Sequence, residues 1–471
     1  MKDDIVARIG FNGGSVEISE DVLCKHTIFI GSTGSGKTTS CNVLLRDLIR
    51  YKADDKDRKI ALIIFDFKGD GTLEKIRSWA NECGRDSDIL DFSPDGQFYY
   101  DPLCGFDSLK KLSQFAESIL EVVPEEGERY WQHALRKRIT CVLEYVLFKY
   151  DTPCFENFLN EIFNFLSRTN ELLYEIGKFE LAIEDILSKT REHRIEYENL
   201  KRRLERLRGV FLEWQNLDSR TKSNETSTIS NLLSAFTNPS VEGLLTKRKD
   251  RLDLDGIVEG GKIAVVSFPA CVDGFSAAVV AKLLKGGYYR AIQKRKGFNR
   301  LAGIIMDEYP LVASCGHFGD GVNLQTIRSK GGFVVAATQG LVSLDMAVGR
   351  ANREQLMLNF NNRFIFRSEE REVKALVDEM DLFSSGSSVG FFPNGLKKVS
   401  LNVEEFPTGY AVIKLANGFK TKSPVQLERL FIKSPSSQQP ENSDPLRNCM
   451  DKLRSAANSV FGQNKCNSIL F

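Results

Sequence analysis

Residues 26–39, HTIFIGSTGSGKTT, constrain this chain more than any other stretch. A short apolar run, HTIFI, leads into Gly31, Ser32, Thr33, Gly34, Ser35, Gly36, Lys37 and Thr38, which fit the spacing G-x-x-x-x-G-K-[ST]. A helical pattern leaves it through Thr39, Leu44, Leu45, Leu48 and Ile49. Strand, glycine loop and helix in that order form a phosphate cradle: glycines let N–H groups turn inward, and the helix N-terminus adds positive potential. Lys37 is placed to reach the terminal phosphates of ATP, and Thr38 to give its hydroxyl to Mg²⁺.

Six further β-rich runs follow: ALIIFD (61–66), KIAVVSFP (262–269), LAGIIMDE (301–308), GGFVVAATQ (331–339), NRFIFR (362–367) and GYAVIKL (409–415). Most are continuously apolar, as suits parallel strands covered by helices on both faces. The expected fold is therefore α/β with a parallel-dominated sheet. Residues 150–240 carry helical spacing (Ile195, Leu200, Leu204, Leu207) and almost no strand signal, which predicts an all-α insertion. The divisions are 1–149 and 241–432 for the nucleotide-binding domain, 150–240 for the insertion, and 433–471 for a polar linker and tail. The basic stretch KRRLERLR (201–208) reads first as a solvated helix face and second as a nucleic-acid contact.

With 42% hydrophobic and 27% charged residues the 471-residue chain is globular. A net charge of +1 excludes a generally basic nucleic-acid binder, though not a locally basic channel. No apolar run reaches the roughly 18 residues that span a bilayer. Ten cysteines without a C-x-x-C pair and four histidines argue against zinc and a disulfide framework, and point to a cytoplasmic protein.

Three more features carry chemistry. The strand LAGIIMDE ends in Asp307, placed to hold Mg²⁺, and Glu308, placed to polarise an attacking water. The strand GGFVVAATQ ends in Gln339, a candidate sensor of the γ-phosphate, which argues that this strand lies between those of the phosphate loop and Asp307. Arg328, between the two strands, can serve a neighbouring subunit's site or be an ordinary surface arginine; the pattern alone leaves these even.

The order of these blocks resembles the FtsK/HerA superfamily of DNA-pumping ATPases, most of all the conjugative (type IV secretion) coupling proteins of the TraG/TraD type. The similarity runs from about residue 25 to 420 and includes IIFDFKGDG (63–71), DPLCGF (101–106), RYWQHALRKRI (129–139) and LNFNNRFIFR (358–367). It implies a RecA-like P-loop domain of the additional-strand class, an ATPase working as a hexameric ring around DNA, Arg328 as a finger acting in trans, and Gln339 as the sensor. Typical coupling proteins begin with transmembrane helices, whereas here the phosphate loop starts at residue 31; nor is there room for the small β-barrel of HerA proteins. The expectation is an ATPase that does not itself enter the membrane and is recruited by a protein partner, a secretion component or a nuclease. Two alternatives stand beside the DNA motor. One is a HerA-like ATPase serving a nuclease or other effector in DNA processing or anti-phage defence, and the other an ATP-gated protein receptor or scaffold.

Overall fold

The computed structural model describes residues 4–428, apart from 70, 106–108, 123–128, 190–192, 247–249, 269–272, 317–318, 381–401 and 422. The described residues belong to one compact unit, and the tail expected at 433–471 lies outside them.

The strands are β1 (Ile5–Phe11), β2 (Gly14–Ser19), β3 (Thr27–Ile30), β4 (Ala61–Asp66), β5 (Ile89–Phe92), β6 (Phe98–Tyr99), β7 (Asp250–Arg251), β8 (Ile263–Ser267), β9 (Ala302–Met306), β10 (Gly332–Thr338), β11 (Asn362–Ile365), β12 (Tyr410–Lys414) and β13 (Val425–Gln426). Nine of them form one sheet in the order β13-β12-β11-β3-β10-β9-β4-β8-β5. The strands from β11 to β5 run parallel, while β12 and β13 are antiparallel additions at one edge. β10 pairs with β3 on one side and β9 on the other, as expected from the polar end of its run.

Burial explains why these strands read as unbroken apolar runs. Ile28, Ile30, Ile63, Phe65, Ile304, Met306, Val334 and Ala336 face one core. Phe29, Leu62, Ile64, Ile305, Phe333, Val335 and Ala337 face the other. Alternate residues thus go to opposite faces and both faces are covered, so neither set can be polar. The second face is closed by the helices Lys37–Arg50 and Thr72–Glu82 and by the β1–β2 hairpin, through Val43, Leu44, Ile76, Ile9 and Val16.

On the first face, helices run from Leu109 to Leu245, beginning well before residue 150. Their aromatic core (Phe155, Phe158, Phe165, Phe211, Trp214 and Phe236) is continuous with the core on that face of the sheet. The Phe165 ring packs at a tilt against Phe211 and Trp214, its centroid 4.9 Å from each. In the basic stretch 201–208, Leu204 and Leu207 are buried, and Lys201, Arg203 and Arg208 pair with Glu184, Glu144 and Glu180 of neighbouring helices. Those three cations serve helix packing. No helix among the described residues is long and apolar enough to cross a membrane.

His26 locks the lower edge of the sheet. It is buried just before β3; its Nδ1 accepts from Val334 N at 3.1 Å, so Nε2–H donates to Leu324 O at 2.8 Å. One imidazole thereby joins β3, β10 and the helix Asp320–Ile327. Burial lowers its pKa to about 4 from the ordinary 6.5, aided by the charge of Arg328 and opposed by the Leu324 bond. The unfolded chain takes up this proton first, so stability is complete above pH 6.5 and drains away as pH falls toward 4. The loss across that window should reach about 3 kcal/mol. Denaturant unfolding of wild type and His26→Gln from pH 7 to 4 checks this: the wild type should show an extra acid-side slope that the variant lacks, and identical slopes would contradict it.

Candidate active site

The phosphate loop joins β3 to the helix Lys37–Arg50. Gly34 and Gly36 take φ of +73° and +106°, which side chains other than hydrogen rarely tolerate. Gly36 also has no room: a Cβ there would stand 2.9 Å from Gly409 Cα. Ser32 anchors the loop from the other side, its N–H and hydroxyl donating to Arg367 O at 2.8 and 3.0 Å. Gly409 N donates to Ser35 O at 2.8 Å. The cradle is therefore held by the backbone just past β11 and just before β12, 330 residues and more downstream. Thr33 and Gly34 are exposed at the loop tip, and Thr39 is half-buried in the first helical turn.

The helix opens with Gly36 as its N-cap, has no side-chain cap and carries no acidic residue in its first turn. Its leading N–H groups are thus left to an anion. Lys37 is buried and donates to Gly31 O and, at 3.0 Å, to Ser32 O. Burial pulls its pKa below the ordinary value, while Asp307 and Glu308 pull the other way. Ser35 Oγ is buried with no partner among the described residues.

Asp307 and Glu308 leave β9 at the same edge. Thr38 Oγ1 lies 3.3 Å from each carboxylate oxygen of Asp307. A hydroxyl and a carboxylate facing each other beside a phosphate cradle are the hard oxygen donors that Mg²⁺ takes. The residues present fit a Mg²⁺–nucleotide site. Lys68, just past β4, donates to Asp307 Oδ2 and lies 3.1 Å from Glu308 Oε1. Burial works against its charge, but the bond to Asp307 and the two carboxylates outweigh it and raise its pKa. Its spacing of 239 residues from Asp307 hides this contact from a sequence reading. The only signal was the D-F-K-G segment itself.

β10 ends between these groups. Thr338 is buried, donating to Gly340 O at 2.7 Å and sharing a 3.1 Å bond with Ser343 Oγ, so it shapes the turn. Gln339 is exposed at that edge. Glu370 fixes the helix that follows by accepting from Leu341 N at 2.7 Å. No short-range pattern marks Glu370, because its partner lies 29 residues away.

Arg328 stands apart. It precedes β10, whereas Gln339 follows it; the seven-residue strand between them spans roughly 23 Å at ~3.3 Å per residue. Its side chain is half-exposed, 3.8 Å from Asp21. The structure therefore brings together Lys37, Thr38, Asp307 and Glu308, with Gln339 at the same edge, and leaves Arg328 at the other.

Residues 11–78 match the family model described as helicase HerA, central domain. No curated protein matches the chain by sequence. The fold is similar to that of the bacterial conjugative coupling protein TrwBdeltaN70 in complex with sulphate, at 16% identity and a TM-score of 0.59 over 93% of this chain and 92% of that one. TrwB in complex with ADP and Mg²⁺ is similar at 16% identity and 0.57, over 93% and 92%. VirB4 of Thermoanaerobacter pseudethanolicus follows at 11% identity and 0.50, over 92% and 98%.

Two substitutions probe the cradle. Gly36→Ala should abolish fluorescent-ADP binding, because its Cβ meets the Gly409 backbone at a φ that alanine avoids. Thr38→Ala should leave the fold intact and weaken binding about tenfold in Mg²⁺, with no change in EDTA. Equal loss in both buffers would contradict the metal assignment.

Proposed function

Taking the chain as a P-loop ATPase of the HerA/FtsK kind, by its phosphate-loop segment and its fold, we propose that it hydrolyses Mg·ATP in a ring of identical subunits, six by the resemblance, and uses the cycle to move DNA. One observation carries this reading: Thr38, Asp307 and Glu308 cluster at one edge of the sheet while Arg328 sits at the opposite edge. A chain whose arginine lies a strand's length from its own phosphate loop needs a neighbour to use it.

The roles follow from position. Loop N–H groups and Lys37 hold the phosphates, Lys37 exchanging its loop carbonyls for phosphate oxygens. Thr38 and Asp307 would hold Mg²⁺, which would supply positive charge against the phosphates. Glu308 accepts a hydrogen bond from the attacking water's O–H and orients it. Gln339 contacts the γ-phosphate or that water. Arg328 of one subunit stabilises transition-state charge in the next. Basic and polar groups of the ring would grip DNA phosphates with little base selectivity.

A second reading keeps the motor and changes its setting: beside the HerA central-domain match over residues 11–78, the resemblance suggests an ATPase serving a nuclease or other effector in DNA processing or anti-phage defence. Either setting predicts DNA-stimulated turnover.

Steady-state hydrolysis without DNA, with single strands and with duplex, at two salt concentrations, tests the proposal. Turnover should rise with DNA and the rise should shrink steeply with salt. Glu308→Gln should keep nucleotide binding and lose about 10²- to 10⁴-fold in rate. Turnover indifferent to every DNA would contradict the motor.

A further inference from the structure

Two adjacent carboxylates at the mouth of a phosphate cradle need positive charge, and the chain supplies its own. The Lys68 ammonium donates to Asp307 Oδ2 and lies 3.1 Å from Glu308 Oε1. Its backbone is held for the task, since Asp66 Oδ1 accepts from Lys68 N at 3.0 Å and Gly69 N at 3.2 Å. Asp66 ends β4, which pairs with β9 in register, so Lys68 projects beside the residues that end β9. Lys37 acts on the pair only through space, because its ammonium donates to the carbonyls of Gly31 and Ser32. Asp307 thus faces two groups at once: the Thr38 hydroxyl, 3.3 Å from each oxygen, and the Lys68 ammonium.

That arrangement sets up a competition. A divalent cation held by Thr38 and Asp307 would share one carboxylate with the ammonium, and two cations a few ångströms apart repel. We propose that Lys68 is a built-in counter-ion of the Asp307–Glu308 pair, which keeps free Mg²⁺ out of the site and yields Asp307 only to Mg²⁺ arriving with a nucleotide. The inference rests on the reading of Asp307 and Glu308 as Mg·ATP residues. The exchange is chemically suited to lysine: its charge rides on a flexible four-carbon stem and can swing aside without moving the backbone. While paired, Lys68 also holds Glu308 against a cation, so an unloaded site does not present a free carboxylate to water. Lys68 is in this sense a positioning residue.

The test reads binding and melting rather than turnover. Melting temperatures of nucleotide-free wild type, Lys68→Arg and Lys68→Met are compared in MgCl₂ and in NaCl of equal ionic strength. Fluorescent ADP is then titrated at a series of Mg²⁺ concentrations. Mg²⁺ alone should leave wild type and Lys68→Arg unmoved and should raise the melting temperature of Lys68→Met. The Mg²⁺ concentration for half-maximal ADP binding should fall about three- to tenfold in Lys68→Met. Lys68→Gln, which keeps a donor without the charge, should behave as Lys68→Met and replaces it if that variant does not fold. Mg²⁺ stabilising wild type as much as the neutral variants, or an unchanged Mg²⁺ requirement, overturns the counter-ion role while leaving the nucleotide site standing. Wild type that binds no ADP at any Mg²⁺ concentration overturns the site reading and this inference together.

Discussion

A parallel sheet buried on both faces can show functional groups only at the ends of its strands, and every catalytic candidate in this chain depends on that restriction. From β11 to β5 the strand interiors are committed to two cores, residue by residue. Chemistry is left to the positions where a strand stops: Gly31 after β3, Lys68 after β4, Asp307 after β9, Gln339 after β10. Because the strands are parallel, these endings fall on one edge. The place of β10 matters most. It sets Gln339 between the phosphate loop and the acid pair, and keeps β3 and β9 one strand apart, a spacing that helix and loop side chains then bridge.

The same restriction explains the separation of Arg328. It lies in the turn that feeds β10, at the edge that His26 ties down through Leu324 and Val334. A residue at a strand's start cannot reach a ligand at the strand's end, but it can face outward. Buried polar contacts also fix the helix that leads to Arg328. Asp320, one helix length before Arg328, is fully buried and accepts from Lys285, Tyr289, Tyr309 and Ser314. Tyr309 directly follows Glu308, so the helix leading to Arg328 is bonded to the segment that carries the acid pair. Removing one partner would leave a buried charge unmet, so such a network holds its members to one geometry.

What could be read from the sequence was whatever burial on two faces writes into consecutive residues. All seven apolar runs proved to be strands, and the place of β10 followed from the polar end of one of them. β5 escaped because it is an edge strand of four residues, ILDF, with one fully buried position. The β1–β2 hairpin escaped because its alternating residues need only one buried face. The helical layer begins at Leu109, before the first segment that lacks strand signals. At the site, the phosphate loop and Asp307–Glu308 were legible as short local patterns. Lys68, Glu370, Arg367 and Gly409 were not, since each acts on a partner far away in sequence and two of them act through the backbone.

The central claim is that each nucleotide site is completed by the arginine of a neighbouring subunit. Mixing two inactive chains, Lys37→Ala and Arg328→Ala, and measuring ATP hydrolysis in the presence of DNA tests it most directly. In a mixed ring about one interface in four would join an intact phosphate loop to an intact arginine, so the account predicts that activity returns although neither chain has it alone. An Arg328→Ala chain that is fully active by itself, or a mixture no better than its parts, would contradict it.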